Sequence, residues 1–370
     1  MTMPLHPSLL EATRLTRAGR LEEATDLIRA MLAGGAPAEP TPAMRDSAIL
    51  DLTPEGATVS PSARRSLWPD KPLWLDKEGP AVEARTGGTF LTRSYHGPAG
   101  TLGYKLYVPP SVRDGMPLVV MLHGCSQSPD DFALGTGMNR LADELGFLVA
   151  YPAQTQAANA SRCWNWFKSG DQQRGRGEPA LIAGITRQVI ADYRIDRQRV
   201  YIAGLSAGGA EAAIMGAAYP DLYAAVGIHS GLACGAARDL PTAMMAMRQG
   251  SGINAAGQPG THFVPTITFH GDQDTTVHEV NSCEIVARAA AAAGPSLRTH
   301  SEAGRSPGGR AYTRAVSVDD RGRALIEQWT IHGGGHAWSG GSRSGSFTDP
   351  SGPDASREML RFFLAHRATG

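Results

Sequence analysis

The stretch from Arg199 to Met215 constrains this chain most, because three kinds of local sequence follow one another there in a fixed order. Val200, Tyr201, Ile202 and Ala203 form a short apolar, partly β-branched run that fits a buried strand. From Gly209 to Ala218 the residues are small and helix-compatible. Between the two lies Gly204-Leu205-Ser206-Ala207-Gly208, the G-x-S-x-G pattern of a nucleophile elbow. A strand and a helix must pack closely where the chain turns so sharply, which is why glycine is needed two residues either side of the serine. The turn pushes the hydroxyl out of the sheet, and Ser206 is the candidate nucleophile.

The chain has 44 glycines, so the pattern by itself carries little, but a second copy acts as a control. Gly304-Arg305-Ser306-Pro307-Gly308 also matches, yet no apolar strand precedes it and Pro307 keeps Ser306 out of helical conformation. That copy reads as a loop.

Lys plus Arg and Asp plus Glu are both 35, so no overall charge draws the protein to nucleic acid or an anionic membrane. No basic start followed by an apolar core marks a signal peptide, and no uninterrupted apolar span is long enough to cross a bilayer. The sequence by itself therefore suggests the cytoplasm. Cys125, Cys163, Cys234 and Cys283 form no C-x-x-C pair and no zinc-type spacing; Cys234 and Cys283 read as small buried side chains or ordinary thiols. Nucleotide and dinucleotide glycine loops are missing too, so neither a metal nor a cofactor is expected.

Along the chain, Leu9, Leu10, Ala12, Leu15, Leu21, Ala24, Leu27, Ile28 and Met31 recur at helical intervals around Gly19, which predicts a helical hairpin over residues 1–34. It resembles half of a tetratricopeptide repeat, but one copy cannot bury its own face. Residues 35–88 are rich in Pro, Ala, Ser and Gly and read as a linker or wrapped segment, tied down where Trp68 and Trp74 occur. Two alternating runs, 89–95 and 103–108, joined across 96–100, predict a β-hairpin that opens a catalytic domain over 89–370. Strands follow at 117–124, 147–151, 224–228 and 266–269, with helices at 138–145, 180–193 and 280–293 and the Ser206 unit among them. A strand pair at 311–318 and 325–331 precedes a last helix over 354–366. Strands alternating with helices after an antiparallel start indicate an α/β-hydrolase fold with a mostly parallel central sheet.

A serine hydroxyl needs a base to take its proton, and that base needs an acid to fix its tautomer. In this fold the order is serine, acid, histidine. The strand at 266–269 runs into His270, Gly271, Asp272, Gln273 and Asp274, placing two carboxylates in one loop. Asp274 is the favoured acid; Asp272 lies close to the strand end and suits turn hydrogen bonding, and the sequence leaves both open. His336 follows the run Gly333-Gly334-Gly335 and is the candidate base, while His332 and His270 read as structural histidines, His270 bracing the acid loop. The oxyanion would be met by the Ala207 N–H and, after His123 and Gly124, the Cys125 N–H.

Taken together, His123 to Gln127, Cys163 to Phe167, Gly204 to Gly209, His270 to Asp274 and Gly335 to Gly341 resemble the polyhydroxybutyrate depolymerase family of esterases over roughly residues 85–366. Feruloyl and acetylxylan esterases resemble the same pattern. The resemblance implies that Ser206, Asp274 and His336 fall on the family's triad and Cys125 at its oxyanion loop. It also implies a disulfide between Cys125 and Cys163, which a reducing cytosol would oppose, and an extracellular location as the alternative to the cytoplasm. Trp338, Trp164 and Trp166 would supply an apolar substrate wall, with core packing the equal alternative for Trp164 and Trp166. Polymer-degrading members of the family commonly carry a secretion signal and a domain for solid polyester. This sequence shows neither, so amorphous polymer, oligomers or small soluble esters are the expected substrates. The rivals are a feruloyl or acetylxylan esterase, a serine peptidase, and an inert hydrolase-like binding module; the oligomeric state is left open.

Overall fold

The computed structural model describes residues 87–252 and 263–368. The helical hairpin expected over 1–34 and nearly all of the 35–88 segment, Trp68 and Trp74 included, lie outside the described residues.

The expected hairpin is formed by β1 (Thr89–Gly97) and β2 (Gly100–Val108), antiparallel from Thr89 opposite Val108 to Gly97 opposite Gly100. Its loop is tighter than the spacing predicted, because Gly100 takes a φ of 127°, which lets pairing continue to the turn. The centre of the sheet comprises β3 (Leu118–Leu122), β4 (Leu148–Pro152), β5 (Val200–Leu205), β6 (Ala225–His229) and β7 (Thr266–Gly271), buried along their whole length. Strands covered on both faces have no polar side to show, which accounts for their unbroken apolar runs. β8 (Arg298–Arg305), β9 (Ala311–Val318) and β10 (Ala324–Ile331) complete a ten-stranded sheet of order β1-β2-β4-β3-β5-β6-β7-β10-β9-β8. Pairing is parallel from β4 through β10 and antiparallel toward both edges, so the sheet is mixed.

Seven α-helices are described: α1 (Pro129–Thr136), α2 (Met138–Leu145), α3 (Gly177–Asp192), α4 (Ala207–Ala218), α5 (Leu240–Gln249), α6 (Val280–Ala293) and α7 (Ala355–Leu364). Strand alternation divides the apolar side chains between two clusters. Leu118, Val120, Ile202 and Val226 join Ile182 and Ile185 of α3 and Ile214 of α4. Val119, Met121, Tyr201 and Ile267 join Phe132 of α1, Leu141 of α2 and Met359 and Phe363 of α7. A short parallel pair, β11 (Trp338–Ser339) and β12 (Thr348–Asp349), closes the loop beyond His336.

Three elements had no sequence signal. β8 is exposed along most of its length and shows no apolar alternation. α1 is short, starting at Pro129 behind a Ser128 cap whose hydroxyl accepts the Asp131 N–H. α5 buries only Ala243 and Ala246. The second G-x-S-x-G copy is a hairpin turn: Gly304 and Arg305 end β8, and the Ser306 N–H donates to Arg310 O at 2.9 Å.

Candidate active site

Ser206 sits between β5 and α4 with φ 57° and ψ −119°, a conformation that costs a residue with a Cβ about 1–3 kcal/mol. The glycines around it are forced. A Cβ on Gly208 would lie 2.1 Å from Leu122 O, and one on Gly204 would lie 2.2 Å from Gly208 O, so any larger residue would drive α4 off the sheet. The Ser206 N–H donates to His229 O at 2.9 Å, which ties the corner to the end of β6.

The structure separates the two carboxylates of the acid loop. Asp274 Oδ2 accepts from His336 Nδ1 at 2.7 Å, and its Oδ1 accepts the Thr276 and Val277 N–H groups, each at 2.9 Å. Burial acts to raise the Asp274 pKa, but the His336 hydrogen bond and charge and the Val277 N–H outweigh it and hold the carboxyl below the usual range. Because a carboxylate only accepts, His336 carries its proton on Nδ1 and leaves Nε2 free to take another. Asp272 instead accepts from His332 Nδ1 at 2.9 Å and from the Gly333 N–H at 2.7 Å, while His332 Nε2 meets Thr313 Oγ1 at 2.8 Å. His270 braces the acid loop, as expected, by donating from Nε2 to Val277 O at 2.7 Å.

The loop after β3 abuts the elbow: a Cβ on Gly124 would come within 3.6 Å of Ser206 Cβ. The Gly124 N–H donates to Gln127 Oε1 at 2.9 Å, and Gln127 Nε2 donates to Asp131 Oδ2 at 2.8 Å. Cys125 is joined to Cys163 by the disulfide that the resemblance implied. Beyond Cys163 the chain is pinned, since Trp164 Nε1 donates to His123 O at 3.0 Å and the buried Glu178 carboxylate accepts the Asn165 N–H at 2.7 Å. Among the described residues, neither the Cys125 N–H nor the Ala207 N–H has a protein acceptor, and Ser206 Oγ has no hydrogen-bond partner.

Of the three tryptophans, Trp164 and Trp166 take the core-packing alternative, and Trp338 is buried too. Trp164, Trp166 and Trp338 are all buried and belong to the two apolar clusters. Trp338 has the ring of Phe132 edge-on at 5.4 Å and that of His229 stacked at 5.1 Å, and its Nε1 donates to Ser356 Oγ at 3.0 Å. With His229 stacked on it, Phe132 edge-on to it and its Nε1 bonded, Trp338 packs as a core side chain in this structure.

Of two buried histidines near the site, His123 was read only as the start of the oxyanion loop, and His229 escaped sequence reasoning, since a single His at a strand end carries no spacing signal. His123 Nδ1 donates to Gly124 O at 2.8 Å while Nε2 accepts the Gln154 N–H, and His229 Nε2 accepts the Ser339 N–H at 2.9 Å. Burial pushes their pKa values from the ordinary 6.5 down to about 4 and about 3 respectively. In the unfolded chain both rings take protons near pH 6.5, so between that pH and their folded values the unfolded state binds more protons. Stability from this pair is complete above pH 6.5 and is lost on acidification, by on the order of 3 kcal/mol from pH 7 to pH 5. Urea midpoints at the two pH values measure it. Equal midpoints would show that these rings do not stay neutral in the fold.

Among the described residues no group of His, Cys, Asp and Glu is arranged to hold a metal ion, and no helix is long and apolar enough to cross a membrane. A strained serine closing a central parallel strand, with a His–Asp pair brought from later loops of the same sheet, defines an α/β-hydrolase-like protein. The solved acetyl xylan esterase of Aspergillus awamori shares the fold, with a TM-score of 0.59 and 20% identity over 75% of this chain and all of that one. The Esterase PHB depolymerase family matches residues 102–294, just over half of the chain, and the chain belongs to that family. The match includes Ser206 and Asp274 and stops before His336. Poly(3-hydroxyalkanoate) depolymerase C of Paucimonas lemoignei is 32% identical over 247 residues, 64% of this chain and 58% of that protein. A probable acetylxylan esterase A of Neosartorya fischeri is 30% identical over 221 residues, 55% of this chain and 59% of that protein. The chain thus spans less than two thirds of the length of these relatives.

Proposed function

We propose that this protein is a cofactor-independent serine carboxylic-ester hydrolase that acts on short-chain hydroxyalkanoate esters, as amorphous poly(3-hydroxybutyrate) or its oligomers. The observation that carries the reading is the 2.7 Å bond between Asp274 and His336 Nδ1, which fixes the imidazole ring with Nε2 as its second nitrogen, in a chain whose strained serine closes a parallel strand of the same sheet. Ser206 Oγ attacks the ester carbonyl as His336 Nε2 takes its proton. The charge on the former carbonyl oxygen is met by the Cys125 and Ala207 N–H groups, which have no acceptor among the described residues. The alcohol leaves with the proton from His336, and water, activated by the same base, then hydrolyses the acyl-enzyme.

Hydroxyalkanoate esters are the preferred substrates because the poly(3-hydroxyalkanoate) depolymerase of Paucimonas lemoignei is 32% identical to this chain. The acetylxylan esterase relative, 30% identical, supports cell-wall esters as the second reading. The Cys125–Cys163 bond favours an oxidising compartment over the cytoplasm. Product release from 3-hydroxybutyrate oligomers and amorphous polyester, measured beside acetylated xylan and methyl ferulate, separates the two readings. Hydroxybutyrate release supports the first, whereas acetate or ferulate release alone moves the enzyme to plant cell-wall esters. A fluorophosphonate probe should label Ser206. A protein that stays unlabelled would be the inert binding module.

A further inference from the structure

With Trp164, Trp166 and Trp338 buried, the apolar surface that an acyl chain needs must come from elsewhere. Phe347 is 46% exposed, and among the described residues no other Phe, Tyr or Trp is as open to solvent. Its φ of 52° lies in the left-handed region, where glycine would sit without strain and a phenylalanine does not. The chain therefore holds a bare aromatic ring in a conformation that neither burial nor backbone preference favours. Strain of this kind, kept where packing gains nothing from it, is a reason to look for a ligand.

Two sets of hydrogen bonds fix where Phe347 stands. On one side, the preceding residue is tied to the oxyanion loop. The Ser346 N–H donates to Asp131 Oδ1 at 2.9 Å and the Ser346 hydroxyl to Asp131 Oδ2 at 2.6 Å. Gln127 Nε2 donates to Ser346 O at 3.2 Å, while Oε1 of the same amide accepts the N–H of Gly124, which abuts Ser206. On the other side, Phe347 O accepts the Trp338 N–H at 2.7 Å, two residues beyond His336. Phe347 is thus clasped between the segment that presents the oxyanion N–H and the segment that presents the base.

From this placement we infer that Phe347 is the specificity-determining wall of the site, receiving the hydrocarbon part of the acyl group beside the scissile bond. The inference rests on the ester-hydrolase reading and deepens it: the favoured acyl groups are apolar chains of butyryl length, 3-hydroxybutyryl among them, in preference to acetyl. Each methylene laid against an apolar surface contributes up to about a fourfold preference, so two methylenes are worth about tenfold.

The test compares p-nitrophenyl butyrate with p-nitrophenyl acetate and reads the ratio of their kcat/KM values. Phe347→Ala should lower the butyrate-to-acetate ratio by about five- to tenfold. Phe347→Tyr, which keeps the ring, should restore it, and Leu364→Ala, an exposed apolar residue at the end of α7, should leave it at the wild-type value. Thermal midpoints of all three variants show whether they fold; if Phe347→Ala does not, Phe347→Tyr and Phe347→Asn carry the comparison, asparagine tolerating the left-handed φ, with only the polar asparagine variant losing the preference. A ratio unchanged in a folded Phe347→Ala enzyme overturns the inference and leaves the ester-hydrolase reading standing. Wild-type protein that cleaves neither ester overturns both.

Discussion

Replacing Ser206 with alanine should lower turnover on every ester the wild-type enzyme hydrolyses by about 10⁴- to 10⁶-fold while leaving the thermal midpoint almost unchanged. The two halves of that expectation have separate causes. Activity falls because the alanine methyl cannot form the acyl-enzyme, and on the proposed mechanism what remains is the stabilisation offered by the Cys125 and Ala207 N–H groups and by binding alone. Stability holds because serine and alanine both carry a Cβ, so both meet the same penalty at φ 57°, and Ser206 Oγ has no hydrogen bond to lose among the described residues. Ser206→Gly supplies the complementary check, since it relieves the backbone penalty and should raise stability by up to about 1–3 kcal/mol while being equally inactive. Single-turnover kinetics on a chromogenic ester, read beside a thermal melt of each variant, measure both effects. Turnover within tenfold of wild type in Ser206→Ala would place the nucleophile elsewhere.

What the sequence showed of this protein, and what it concealed, divides along physical lines. The parallel strands were legible because burial on both faces leaves an unbroken apolar run, as in Leu118–Leu122, and the elbow was legible because Gly204 and Gly208 answer a steric demand no other residue meets. His336 could be found because chain order and the glycine run before it restrict the candidates. The sequence left both Asp272 and Asp274 open as the acid, because two residues along an irregular loop decide which histidine each one faces, and only the folded loop sets that. β8 stayed hidden because an exposed edge strand has no buried face to impose a pattern. The tryptophans stayed ambiguous for a related reason: an indole near a catalytic motif has the same letter whether it faces a substrate or a core, and Trp338, the favoured wall, is buried. Phe347 went unnoticed because its importance comes from contacts between Gln127 and Ser346, which are 219 residues apart in the chain.

The sharpest consequence of the paired carboxylates is that Asp274→Asn should reduce kcat by about 10⁴-fold, whereas Asp272→Asn should cost no more than about tenfold. At position 274 an asparagine oxygen can still accept the Thr276 and Val277 N–H groups, so the loop keeps its shape. The atom left facing His336 is then an amide nitrogen, which donates. The ring must answer with an unprotonated Nδ1, its proton moves to Nε2, and the nitrogen that should take the serine proton is already filled. At position 272 the same exchange keeps an acceptor for the Gly333 N–H and disturbs only His332, which is anchored separately through Thr313. Both variants remove one negative charge from one loop, so a general electrostatic effect would weaken them alike, and only the tautomer argument predicts that they differ by about a thousandfold. Measured kcat values for the two variants decide it: equal losses would reduce the Asp274–His336 bond to a structural contact, and a larger loss at Asp272 would transfer the acid, and with it the base, to the His332 pair.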